Sequence, residues 1–268
     1  MKLISQKRKI QTGSGTIKLI ILRPEEQKQP LPGILWIHGG GYLTGMAAMV
    51  HVSAGKMLAE KYGAVVISPG YRLSWQEPYP AAVNDCYAAL AYMYQHAEEL
   101  MIRRDRIIVG GESAGGGLAA AVCLMARDKG EIPVAFQIPL YPMLDCYDTP
   151  SSANNHGYFW NTAKNHSAWK IYLGPLHGSD AIPKYASPSR ETNYAGLPPA
   201  YSFVCEGEPF YNETLTYIEN LRASGVQASV DVYPGKAHAF DMMMPWSKKA
   251  KQARAKLAEE CADILKNG

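Results

Sequence analysis

One pattern limits this chain more than any other. Short β-branched and aliphatic runs recur along its 268 residues, and helix-length stretches separate them. Residues 34–37, 65–68, 107–109 and 134–138 are near-continuous apolar runs, as strands buried on both faces must be. Residues 49–62, 81–100 and 114–128 have helical composition, and Pro80 stands at the start of the second. Strands over 202–205 and 228–232 follow, with helices near 212–224 and 247–266, while residues 6–23 read as a hairpin turning through Gly13 to Gly15. Alternation of this kind predicts an α/β fold, a mainly parallel central sheet flanked by helices. The length suits a single domain spanning 1–268. One stretch breaks the rhythm: residues 142–200 are rich in Pro, Asn, Ser, Tyr and Trp and have no strong period. An irregular segment that long predicts a functional insertion.

Charge and cysteine content remove several function classes. Lysine plus arginine exceed aspartate plus glutamate by 27 to 24, and the charges are scattered, so a nucleic-acid partner is not expected. The opening MKLISQKRKI is basic but runs into QTGSGT, with no apolar core for a signal peptide or a membrane span. A cytoplasmic protein without a membrane partner is the expectation; association into a homo-oligomer stays open. Five cysteines, odd in number and without a CxxC pair, fit buried thiols better than a disulfide framework or a zinc knuckle. His156, His166 and His177 have no ligand spacing, so neither a metal nor a cofactor is expected.

The chemistry is legible where a strand meets a helix. Gly111 to Gly115 spell GESAG, preceded by the apolar RIIVG and followed by the alanine-rich GGGLAAAVCLMA. A GxSxG match arises by chance in roughly one chain in ten of this length, but the strand before it and the helix after it are the setting the motif requires. There the turn is tight, and the hydroxyl of Ser113 stands out above the sheet as a nucleophile. Upstream, His38 to Tyr42 read HGGGY directly after the strand ILWI. Attack on an ester creates an oxyanion, which needs hydrogen-bond donors already aimed at it. The amides of Gly40 and Gly41, joined by that of Ala114 in the first helical turn, are the candidates. His38 is expected to orient this loop.

HGGGY, GESAGG, YPMLD at 141–145, LPPAY at 197–201 and GKAHAF at 235–240 occur in order over most of the chain. Together they resemble the hormone-sensitive-lipase family of bacterial esterases, on the α/β-hydrolase fold. The resemblance implies an oxyanion loop at Gly40 and Gly41, nucleophile Ser113, base His238, hydrolysis of carboxylic esters with short acyl chains, a small-molecule ester substrate and no metal. Serine, acid, histidine is the triad order of this fold, and His238 is the late histidine that fits.

Two departures stand out. Where the family carries aspartate before Pro and Leu, this chain reads Glu206, Gly207, Glu208, Pro209, Phe210, which makes Glu208 the expected acid. Glu206 is expected to extend the strand, and Asp241, just past the histidine, to be a surface carboxylate. The residues before the HGGG strand read as a hairpin where the family has lid helices, so the lid is reduced, with 145–185 as the lid-like insertion. Tyr42, Phe159 and Trp160 are the expected substrate-binding residues, Trp169 being a further candidate apolar wall of the pocket. Two other functions remain compatible with this sequence: a non-catalytic small-molecule receptor on the same fold, and a serine peptidase or acyltransferase with the same triad.

Overall fold

The computed structural model describes residues 1–266. Its centre is one eight-stranded sheet in the order β1-β2-β4-β3-β5-β6-β7-β8. The strands are β1 (Leu3–Thr12), β2 (Gly15–Pro24), β3 (Leu31–Ile37), β4 (Val65–Gly70), β5 (Ile102–Glu112), β6 (Phe136–Leu140), β7 (Ala200–Cys205) and β8 (Ala228–Tyr233). β1 and β2 form the expected hairpin, and β2 runs antiparallel to β4; every other pairing is parallel.

Strand periodicity sends alternate side chains to two cores. Leu35, Ile37, Val65, Ile67, Ile107 and Val109 face one cluster, shared with helices α2 (Ala81–Gln95), α3 (Ala114–Lys129), α4 (Thr162–Leu173) and α5 (Tyr211–Ala223). Ile34, Trp36, Val66 and Ile108 face the other, shared with α1 (Ala54–Tyr62), α7 (Lys248–Glu260) and α8 (Ala262–Leu265); the short α6 (Phe240–Met243) leads into α7 and adds Phe240. Helix α3 is buried along most of its length, Ala114 to Ala126 without interruption, which explains why it is apolar on every side.

Several element boundaries differ from those expected. The strand expected at 134–138 is Phe136–Leu140. The helix expected from 49 is divided at Ser53, whose hydroxyl accepts the Lys56 amide and caps α1. The helix from Ala81 stops at Gln95, short of residue 100. The irregular stretch 142–200 contains a helix that composition did not disclose. In α4, Asn165, Ala168, Trp169, Tyr172 and Leu173 form one buried stripe and Asn161 caps the start through the Lys164 amide. The stripe has helical spacing, but a polar and a small residue stand at its first two positions. Tyr172 stacks on Tyr42, ring centroids 3.9 Å apart, and its carbonyl accepts the Tyr79 amide at 2.7 Å, which docks α4 beside the HGGGY loop. Among the described residues no helix is long and apolar enough to cross a membrane.

Candidate active site

Ser113 sits between β5 and α3 with φ +58° and ψ −121°, a region costing a non-glycine residue roughly 1–3 kcal/mol. The surroundings hold it there. Its amide donates to Leu140 and its carbonyl accepts from Gly117 and Met143. A side chain at Gly115 would collide with the Ile37 and His38 carbonyls, so glycine is what lets the helix start against the end of β3.

The loops after β7 and β8 bring the other two groups to this hydroxyl. His238 Nε2 lies 2.8 Å from Ser113 Oγ, and Nδ1 is hydrogen-bonded to Glu208 Oε2. A carboxylate only accepts, so Nδ1 carries the proton and Nε2 is left to accept from the serine hydroxyl. Glu208 is fully buried; its second oxygen accepts the Cys205 amide at 2.9 Å. That turn folds the carboxyl back on its own strand end and absorbs the methylene by which glutamate exceeds aspartate. Glu206 is exposed.

The loop expected to receive the oxyanion follows β3. Gly40 and Gly41 have φ of +117° and +59°. The Gly40 carbonyl accepts from Leu43 and Thr44, which turns the loop back on itself. Among the described residues the amides of Gly40, Gly41 and Ala114 have no hydrogen-bond acceptor. His38 is buried, stacks on Tyr71 at 4.2 Å and contacts its own loop through Nδ1 and the Gly39 carbonyl; burial pushes it down to about 4 and keeps it neutral.

The three expected substrate-binding residues fall in three environments. Trp160 lies against the HGGGY loop, where any side chain at Gly41 would strike its indole, and 6.4 Å from the His238 ring. Its Nε1 donates to the buried Asn165 at 3.3 Å. Phe159 lines a separate cleft of about 450 Å³ with Gly207, Lys236 and Ala237. Tyr42 is a correction: its side chain is buried between Tyr172 and Trp169, and its hydroxyl donates to the Met143 carbonyl at 3.1 Å. It supports the loop from beneath, because a φ of +63° turns the residue inward. Trp169 is likewise buried in the packing of α4. His156, His166 and His177 are exposed, and His166 pairs with Asp148.

Asp241 is a second correction. It is fully buried, accepts the Tyr141 hydroxyl at 2.7 Å and lies 3.6 Å from Arg254. Glu213 and Glu112 are buried carboxyls next to the site that were not singled out in the sequence. Glu213 accepts the Leu144 and Asp145 amides and anchors the start of the insertion. Glu112, next to the serine, accepts the Trp36 indole N–H at 2.8 Å. Burial first, and then the nearby Asp241, push Glu112 up from 4.5 to about 8.

The Glu112 shift has a consequence for stability. The unfolded chain releases this proton near 4.5, whereas the fold keeps it to about 8. The stabilisation is therefore complete below 4.5 and is lost as pH rises through 8, at about 1.4 kcal/mol per pH unit between them. Glu112→Gln cannot ionise, so its melting temperature relative to the parent should climb steadily from pH 5 to pH 8. Parallel curves would show that Glu112 is not protonated in the fold.

A family model for the α/β-hydrolase fold matches residues 34–242. The chain belongs to the α/β-hydrolase fold, in its hormone-sensitive-lipase-like branch. The hydrolase is 34% identical over 219 residues to Esterase LipI of Mycobacterium tuberculosis, covering 81% of this chain and 67% of that protein. It is 28% identical over 231 residues to the Ethyl acetate hydrolase of Pseudomonas putida, covering 85% and 72%. Among solved structures, a bacterial heroin esterase superposes on this hydrolase with a TM-score of 0.92 and 34% identity over 99% of this chain and 85% of that one. An esterase from Pyrobaculum calidifontis gives 0.88 and 32% over 98% and 84%.

Proposed function

We propose that this hydrolase is a serine carboxylesterase acting on short-chain esters through an acyl-enzyme. Ester hydrolysis itself is supported by family membership and by relatives named as esterases at 34% identity. The observation that carries the serine mechanism is the unbroken hydrogen-bonded chain Ser113–His238–Glu208. In this reading His238 takes the Ser113 proton as Oγ attacks the carbonyl, while the free amides of Gly40, Gly41 and Ala114 receive the oxyanion. The imidazolium, stabilised by Glu208, then protonates the departing alkoxide, and water repeats the cycle on the acyl-enzyme.

The short-chain reading is supported by the indole of Trp160, which packs on Gly41 and lies 6.4 Å from the His238 ring, filling space beside the proposed reacting groups. The test is kcat/KM across nitrophenyl esters from acetyl to dodecanoyl, with an optimum expected at about two to six carbons, since each methylene left unburied forgoes about 0.8 kcal/mol. Trp160→Ala should move that optimum toward octanoyl or longer. A parent enzyme whose kcat/KM rises steadily to dodecanoyl would contradict the short-chain reading.

A further inference from the structure

Glu208 and Ser113 account for the two nitrogens of His238 but not for a buried polar contact against its ring. Tyr141 meets the imidazole edge-on, with centroids 5.2 Å apart and planes at 81°. Its hydroxyl donates to Asp241 Oδ1 at 2.7 Å, and both residues are fully buried. Asp241 belongs to α6, directly after the loop that carries the base. The bond therefore ties that loop to the chain leaving β6. Its setting is strained at both ends: Tyr141 has φ +33° and Ala239 has φ +53°, and neither is a glycine.

Packing alone does not explain this arrangement. Burying a carboxyl carries a desolvation penalty that an apolar pair of the same volume would avoid. Around the imidazole, Phe210 closes a second side at 5.0 Å and 81° by apolar contact, whereas Tyr141, packed on Phe203 and bonded to it through its amide, adds the hydroxyl bond to Asp241. The hydrogen bonds to Glu208 and Ser113 hold the two nitrogens but not the tilt of the ring about the line between them.

We infer that Tyr141 and Asp241 are a positioning pair for His238, fixing the plane of the imidazole from the side that Glu208 does not reach. The inference rests on the reading of Ser113, His238 and Glu208 as the reacting groups. The charged and titratable groups facing the pair are Glu112 at the end of β5, Arg254 of α7, and Glu208 and His238 on the loops after β7 and β8. Burial raises the Asp241 carboxyl above its ordinary value; the Tyr141 hydroxyl and then Arg254, the cation among these groups, oppose that shift.

The experiment measures kcat, KM and melting temperature for Tyr141→Phe, Asp241→Asn and the double variant, with Ser113→Ala alongside. Each single variant is expected to lose roughly ten- to a hundredfold in kcat through misplacement of the base, with KM within about threefold of the parent. The double variant should be no slower than the slower single, because the two act as one unit. Tyr141→Phe keeps the ring and its packing, so it decides the matter even if Asp241→Asn fails to fold. An unchanged kcat in Tyr141→Phe, or a loss confined to melting temperature, overturns the inference and leaves the catalytic reading standing. An active Ser113→Ala would instead remove the catalytic reading, and this inference with it.

Discussion

Ser113→Ala should reduce ester hydrolysis by about 10⁴ to 10⁶ in kcat, the usual loss when a nucleophile that works as part of a unit is removed. The side chain makes one hydrogen bond, to His238, and the backbone at this position is held by the Leu140, Gly117 and Met143 contacts, which alanine keeps. Its strained φ of +58° is the same burden for alanine as for serine. The variant should therefore fold and melt like the parent, which separates chemistry from stability. The measurement is the steady-state rate on an acetyl ester with protein purified free of the parent enzyme. A few per cent of residual activity in such a sample would remove Ser113 from the role of nucleophile.

How much of this site could be read in advance depends on whether a role leaves a local mark. The GESAG elbow was legible because the chain must bend there in a way that only small neighbours permit, and the apolar run before it and the alanine-rich run after it gave its setting. The alternating α/β pattern was legible for the same reason, since strands buried on both faces cannot disguise their composition. Tyr42 was misplaced because a motif position does not disclose which way a side chain turns; that is fixed by φ and by Tyr172 arriving from α4, more than a hundred residues later. Asp241 reads as a surface carboxylate in any local window, and its burial comes from Tyr141 and Arg254, which only the tertiary fold brings to it. Helix α4 was hidden because its buried stripe begins with Asn165 and Ala168, so the spacing is helical but the hydrophobicity is weak. Glu112 was in plain view inside the motif, yet its partner Trp36 lies on a different strand.

Glu208→Gln is the second change expected to cripple the enzyme, lowering kcat by up to roughly 10⁴. Glutamine has the same shape, and its carbonyl can still accept the Cys205 amide that the carboxylate accepts now. What it cannot supply is a negative charge at Nδ1. The amide can offer an N–H to the imidazole, which favours the tautomer with its proton on Nε2, the nitrogen that must accept from Ser113. Nor can it stabilise the imidazolium that forms as the serine attacks. Both losses fall on the transition state, so kcat and kcat/KM should drop together while KM changes little. Glu206→Gln is the matching control: Glu206 is exposed two residues away, and its backbone amide, bonded to the Tyr233 carbonyl, is untouched by the change. Its rate should stay within about twofold of the parent, as surface substitutions do. If Glu206→Gln proved the damaging change and Glu208→Gln the silent one, the acid would have been assigned two residues too late in this loop.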